Sequence, residues 1–359
     1  MKLSLVIDQL IEERGLSRDI LSAIICEGML AAYSKKYPDL TFKVEHDPKT
    51  DDVVVLIQKV VVAASGDDEA EISIRKARAF NKDLATGDVV WVPFEGSIGR
   101  VDVLRAKQVI AGKIRQIESS AVYNEFKDKE GTIVYGVVHK CERFGTVVIL
   151  QDTNAFLPKS LSISTDRCVV GHTIRALLKD VLPEPKNESQ LILDRVSDSF
   201  LQKLFELEIP EVFEKLVEIK NIVRAPGYKS KIVVLSNDSN IDPVGTCVGV
   251  GGVRIKPILK ELGGEKIDVI AWSDNIETLI KNALKPAQVN KVKVMDNNEA
   301  HVWLDDDQRS LAIGKMGQNI SLASRLVGMN IVLIKSDNPS LVSFDLDSID
   351  DVNDNDDLD

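Results

Sequence analysis

The chain has 359 residues, 44% of them hydrophobic and 5% aromatic, which suffices for ordinary cores in two to four domains but offers few rings for base stacking. Its formal net charge is −11; from Leu341 onward there are eight Asp and no Lys or Arg, so the rest carries only −3 and has no bulk electrostatic grip on a polyanion. No run is apolar and long enough to cross a bilayer, and the acids within MKLSLVIDQLIEERG argue against a signal peptide, so a cytoplasmic protein is expected.

Leu3, Val6, Ile7, Leu10 and Ile11 fit one helical face, and after a break at residues 14–17 a second helix is expected from Arg18 to Lys36. Residues 41–45 and 53–64 alternate as strands around the turn-forming Asp47-Pro48 segment. An acidic loop follows at 66–71, then a short strand at 89–93. Ile110, Ile114, Ile117 and Ala121 mark a long helix ending near Phe126. This first α/β unit, residues 1–127, has no catalytic signature.

From Gly131 the pattern changes to short β-branched runs, GTIVYGVVHKCERFGTVVIL, then AFLP, then 173–182 and 190–195. Five short strands in so few residues predict a small barrel over 128–197. The Phe144-Gly145 pair and Gly136-x-Val138 suit an OB-fold barrel of the S-one type found in ribosomal small-subunit protein one. On it Tyr135, His139, Phe144 and Phe156 are candidate stacking groups, and Lys140, Arg143 and Lys159 candidate phosphate contacts. Each ring taken singly serves core packing as well as stacking; Phe144 is the best placed.

The C-terminal half repeats. At an offset of 65 residues Gly249, Gly252, Ile255 and Gly263 fall on Gly314, Gly317, Ile320 and Gly328. Before each Gly-x-x-Gly lie two β-like runs (222–224 and 231–235; 292–295 and 300–304), and after each lies one more (267–272; 331–334). A helical segment leads each unit, 211–220 in the first and 275–284 in the second. Helix, two strands, helix, GXXG, helix, strand is the order of a KH module, and a duplicated unit is much harder to explain as a chance turn. The two modules occupy 198–273 and 274–340.

In such a loop the glycines let a phosphodiester approach the backbone amides at a helix start. The candidate RNA contacts are Gly314, Lys315, Met316, Gly317, Gln318 and Asn319 in the second copy. In the first they are Gly249, Val250, Gly251 and Gly252, with Arg254 and Lys256 from the next turn compensating for the missing cation between the outer glycines. The stronger clamp is therefore expected at Gly314–Gly317. The Asp-rich stretch at 341–359 reads as a short disordered tail.

Other chemistries find no support. Cys26, Cys141, Cys168 and Cys247 form no CxxC, which predicts idle thiols without a disulfide framework or zinc site, and the four His are isolated. Residues 236–246 separate Gly249–Gly252 from the preceding strand, and a third glycine is missing, which argues against a dinucleotide loop. Asp305–Asp307, three acids before a helix, are expected to cap and solvate its N-terminus rather than form a metal site. No enzyme, cofactor or metal is expected. The rival class is a general RNA chaperone, or the RNA-binding part of a ribonuclease or ribosome factor; in the ribonuclease the KH module precedes the barrel.

The blocks LFELEIPE (204–211), NDSNIDPVG (237–245), ELGGEKIDVIAWS (261–273), NALKPAQV (282–289), LAIGKMGQN (311–319) and RAKQVI (105–110), in this module order, resemble the NusA family of bacterial transcription termination/antitermination factors. The resemblance covers residues 1 to 340. It implies a multidomain α/β and β protein, a monomeric and non-enzymatic factor whose N-terminal domain docks on core RNA polymerase near the flap and RNA exit channel. It also implies that the barrel and both KH modules hold nascent single-stranded RNA, and that other Nus factors join the assembly. The chain stops soon after the second KH module, so the acidic repeats by which some members contact polymerase are not expected.

Overall fold

A computed structural model describes residues 17–47, 52–63, 70–80, 83–96, 98–186, 189–295 and 297–335. The chain divides into two compact units, the first essentially Met1–Glu125 and the second everything from Phe126 onward apart from a few residues.

The first unit begins with helix α1 (Arg18–Lys36). Ser17 caps it by accepting from the Ile20 N–H, Asp19 lies in its positive first turn and Lys35 and Lys36 in its negative last one. It buries Leu21, Ile24, Ile25 and Tyr33. The sheet is built on β2 (Asp52–Val62), which pairs antiparallel with β1 (Phe42–Asp47) and β4 (Val89–Pro93) and, at Val60–Val62, parallel with β3 (Glu71–Ser73). Helix α2 (Ile74–Ala77) follows β3, and α3 (Arg100–Phe126) brings Ile114 into the core beside α1. A Cβ at Gly28 would meet Ile110 Cγ1 at 2.5 Å, so glycine sets how closely those helices pack. The expected first helix lies outside the described residues, as does most of the expected acidic loop. The end of that loop, Glu71, instead opens β3, which with α2 was too short to show a period.

In the second unit β5 (Ile133–Cys141), β6 (Gly145–Leu150), β7 (Thr153–Pro158), β8 (Thr173–Lys186) and β9 (Ser189–Asp194) close into a barrel in the order β5-β6-β7-β9-β8. Alternate side chains such as Val138, Val148, Leu157, Leu178 and Leu193 fill it. Cys141 and Cys168, 27 residues apart with Cα atoms 6.1 Å from each other, are joined as a disulfide, which corrects the expectation of four idle thiols. Cys168 lies in the connection between β7 and β8, which passes beside the β5–β6 hairpin, and sequence spacing carries no trace of that adjacency. Cys247 is buried, and burial pushes its thiol up to about 12, so it is no nucleophile.

Two three-stranded sheets follow. In the first, β10 (Val217–Ala225) and β11 (Lys229–Ser236) are antiparallel and β12 (Lys266–Ala271) runs parallel to β11; β13 (Lys291–Val294), β14 (Glu299–Leu304) and β15 (Asn330–Lys335) repeat that arrangement. The expected leading helix at 211–220 is wrong in place. The helix is α4 (Asp198–Glu208), capped by Ser197 accepting from the Phe200 N–H; a single turn, α5 (Pro210–Phe213), follows, and Val217 already starts β10. Pro210 cannot donate to the preceding turn, and the β-branched Val217, Ile219, Ile222 and Val223 favour the strand. The second module's leading helix, α8 (Ile276–Ala283), lies where the sequence puts it.

The modules of this unit are joined by buried polar groups. Arg195, almost wholly buried, donates to Asp166 (2.8 Å) and Glu261 (2.6 Å), tying the barrel to the first KH sheet's helices. Arg224 and Glu265, both buried, pair at 2.8 Å, and Arg224 also donates to the carbonyls of Arg195, Val196 and Ser197 in the connecting segment. Between the KH modules Asn221 donates to Leu326 O (2.8 Å) and Arg325 to Arg224 O (3.2 Å), while Val223, Val233 and Ile270 share a core with Leu279, Ile280 and Leu322. Among the described residues no helix is long and apolar enough to cross a membrane.

Candidate nucleic-acid interface

Both glycine loops are turns between two helices. Helix α6 (Pro243–Val248), capped by Asp242 accepting from the Val244 N–H, runs into Gly249; α7 (Lys256–Glu261) leaves the loop. Helix α9 (Asp306–Ile313) runs into Gly314, and α10 (Gln318–Val327) starts at the left-handed Gly317. Asp306 and Asp307 lie in the first turn of α9, and Asp305 stands at the cap position without the expected side-chain cap bond.

The two loops have the same backbone. Gly249 and Gly314 both have φ 73°, with ψ 167° and 175°; Gly251 and Met316 have φ 62° and 56°; Gly252 and Gly317 have φ 76° and 72°. Each is closed by the second outer glycine's N–H donating to the first glycine's carbonyl, at 3.0 Å in the first copy and 3.2 Å in the second. Three left-handed positions within four residues, reproduced 65 residues apart, make one structural device used twice. Its tip projects Val250 (94% exposed) in the first loop and Lys315 and Met316 (86% exposed) in the second.

Arg254 and Asn319, expected as RNA contacts, are equivalent under the same offset and have another task. A Cβ at Gly249 would meet Arg254 N at 3.1 Å and Cγ at 2.9 Å; one at Gly314 would meet Asn319 N at 3.1 Å and Cβ at 2.7 Å. Each thus folds back onto the first glycine of its own loop. Arg254 donates to Glu211 at 2.7 Å and to Thr246 O, and its hydrogen bond holds the Glu211 carboxyl below its ordinary range. The side chain that was to replace the missing cation is therefore engaged by a carboxylate. The Asn319 side chain is buried, donating to Leu284, Leu311 and Ala312 carbonyls and accepting from Lys229 at 3.1 Å. It braces the loop from inside and links it to the first KH module. Lys256 is exposed at the start of α7, and Gln318 is half-buried.

On the barrel the hairpin between β5 and β6 is tight. Glu142 N–H donates to Gly145 O at 2.8 Å, and a Cβ at Gly145 would lie 2.4 Å from Leu157 O and 2.6 Å from the Phe156 ring. That approach leaves Phe144 projecting, 74% exposed, with the Arg143 guanidinium 5.6 Å from its ring centroid. Tyr135 (57% exposed) and His139 lie on β5, and the Arg175 guanidinium sits 5.2 Å from the Tyr135 ring. Phe156 is half-buried against Gly145, which gives it a packing role, and Lys159 is exposed just after β7. Lys140 is paired with Glu142 at 2.7 Å. The sequence reading passes over Lys260, one turn beyond Lys256 on α7; spacing of i and i+4 on a short helix was its only signal. Among the described residues no cluster of three or more His, Cys, Asp or Glu could hold a metal ion.

Comparisons with known proteins agree with this architecture. The family descriptions "NusA N-terminal domain", "NusA-like first KH domain" and "NusA-like second KH domain" match residues 2–120, 195–272 and 276–340. The transcription termination/antitermination protein NusA of Thermus thermophilus is 34% identical over 335 residues, covering 89% of this chain and 86% of the relative. The chain belongs to the NusA family. The NusA of Bacillus subtilis is also 34% identical, with 89% and 87% covered, and that of Rickettsia conorii is 35% identical, with 93% and 68% covered. NusA relatives are named for transcription termination and antitermination, not for a catalysed reaction, and the family is one of non-enzymatic RNA-binding transcription factors.

Proposed function

We propose that this chain is an RNA-binding transcription elongation factor that binds core RNA polymerase and the nascent transcript, and so modulates pausing, termination and antitermination. The observation that carries this reading is the pair of GXXG loops with matching dihedrals, set in one unit with a barrel that projects Phe144. Single-stranded RNA is held where phosphates approach the loop amides, with Lys315 as the cation of the second loop and base stacking on Phe144 and Tyr135. The first unit supplies the polymerase contact, near the flap and RNA exit channel, other Nus factors join the complex, and the protein works as a monomer in the cytoplasm. Family membership supports these partners, and the loop and barrel geometry supports the RNA contacts.

The test separates RNA binding from polymerase attachment. The full chain should copurify with core polymerase and lengthen a hairpin-stabilised pause, whereas RNA binding without copurification would make it a general single-stranded RNA binder. Gly317→Asp, which adds a carboxylate at a left-handed position Asp tolerates, should cost about 2 kcal/mol of RNA affinity; Gly252→Asp, beside no cation, about 1 kcal/mol. Equal affinities for both variants and the unaltered chain would refute the loop assignment.

A further inference from the structure

Between the barrel and the first KH module lies an open groove of about 1250 Å³. Its barrel wall carries Tyr135, Arg167, His172 and Arg175; its other wall is Val253, Lys256, Pro257 and Lys260, directly after the first glycine loop. The floor is fixed, because Arg195 is buried there between Asp166 and Glu261. Five basic side chains and two carboxylates line the groove, in a chain whose net charge is −11. Both carboxylates are already engaged by Arg195, and Arg175 is held by Glu208 at 2.6 Å. The side chains of Arg167, Lys256 and Lys260 have no hydrogen-bond or ion-pair partner among the described residues and are exposed. The groove is thus a local concentration of uncommitted positive charge over a rigid base.

It also holds a ring prepared for stacking. The Arg175 guanidinium lies 5.2 Å from the Tyr135 centroid, fixed by its bond to Glu208, while Tyr135 remains more than half exposed. Val253 and Pro257 give the opposite wall an apolar surface. A pocket of roughly 300 Å³ already accepts a small organic ligand, so this volume admits more than one nucleotide.

The geometry points to this groove as a nucleotide site separate from the glycine loops, in which the base stacked on Tyr135 is flanked by phosphates that meet Arg167, Lys256 and Lys260. The assignment rests on the RNA-binding reading of the loops and adds to it. Lys256 here faces the groove as a partner of Lys260, and the weakness of the first GXXG loop is offset by charge placed one turn further along. The site needs no cation inside the loop. An open trough with charge on both walls fits a chain of phosphates and bases better than a single anion, which one pocketed cation pair would hold.

The full chain is titrated with a fluorescent single-stranded RNA of about 20 nucleotides at several salt concentrations, comparing Lys260→Glu, Tyr135→Ala, Tyr135→Phe and Gly317→Asp, each first checked by thermal melt. Lys260→Glu should weaken binding about tenfold and reduce the slope of log affinity against log salt by about one. Tyr135→Ala should also weaken it about tenfold, while Tyr135→Phe, which keeps the ring, should bind as the unaltered chain does. Photo-crosslinking of 4-thiouridine-substituted RNA should label Tyr135 or the segment containing Arg167. If Gly317→Asp weakens binding while Lys260→Glu and Tyr135→Ala leave affinity and salt slope unchanged, the groove is not a nucleotide site although the loops are. Insensitivity to Gly317→Asp and Gly252→Asp, with loss on Lys260→Glu and Tyr135→Ala, would overturn the loop reading and leave the groove as the RNA site.

Discussion

Replacing Glu265 by Gln tests whether the second unit depends on its buried ion pair. The carboxylate is buried and accepts from Arg224 Nε at 2.9 Å, Arg224 Nη2 at 2.8 Å, the Gly227 N–H at 2.8 Å and the Ser230 hydroxyl. Glutamine keeps the shape, removes the charge and turns an amide NH₂ towards a group that is itself a donor. A buried charge left without its partner costs about 3–5 kcal/mol; because the remaining amide oxygen still accepts, the lower end, about 3 kcal/mol, applies. Urea unfolding followed by tryptophan fluorescence in a Trp91→Phe background reports the KH modules through Trp272 and Trp303. With a urea slope of roughly 2–3 kcal/mol per molar, the midpoint should fall by about 1–1.5 M. The double replacement Arg224→Met with Glu265→Leu should recover only part of the loss, since the carbonyls of Arg195, Val196 and Ser197 lose their donor. A midpoint for Glu265→Gln within 0.2 M of the unaltered chain, on the order of 0.5 kcal/mol, would refute the reasoning.

Two further outcomes follow from groups with unusual surroundings. Lys231 is buried and donates to Asp268 at 2.7 Å; burial lowers its pKa from the ordinary lysine value. Between that lowered value and 10.5 the unfolded chain binds more protons, so stability contributed by this group rises with pH across the window. Asp268 keeps Lys229 at 2.7 Å, so Lys231→Met should be as stable at pH 7.5 or up to about 2 kcal/mol more stable, with the gain shrinking towards pH 10.5; urea titrations at both pH values check it. Met316 occupies a left-handed position that its equivalent, Gly251, fills without a Cβ, and its side chain is nearly all in solvent. Relief of about 1 kcal/mol of backbone strain, partly offset by glycine's chain entropy, should leave Met316→Gly about 0.5 kcal/mol more stable in a thermal melt; a loss of stability would mean that Met316 is held by packing.

The doubled KH unit was legible because its loop needs glycines at fixed places, and because strands and helices on either side keep their periods at the same offset. Helix α1 and strand β4 fall at the residues expected of them, for the helix starts at a Ser17 cap and the strand is a short β-branched and aromatic run that ends at Pro93. What the sequence did not reveal depends on partners far along the chain. Arg195 meets Glu261 66 residues away, Arg224 meets Glu265 41 residues away, and Cys141 reaches Cys168 27 residues away in the connection between β7 and β8. Arg254 and Asn319 have residue types that suit phosphate and base contacts, yet the fold turns both towards the first glycine of their loops. Their equivalence at the 65-residue offset was visible, but the direction of a side chain was not.

The shared core of the two KH modules, with the Asn221, Lys229 and Arg325 bridges across it, fixes the spacing of the glycine loops as the jaws of a caliper are fixed. On the proposed RNA-binding role, no flexible tether would dilute the second encounter once the first has occurred. A strand long enough to reach both loops would meet the second at a set effective concentration and gain avidity, while a strand too short to bridge them would gain nothing. Stiffness of the joint would then act as a measurement of unpaired length: RNA drawn into a hairpin would lose the gauge, even where every nucleotide of the contacted sequence is still present.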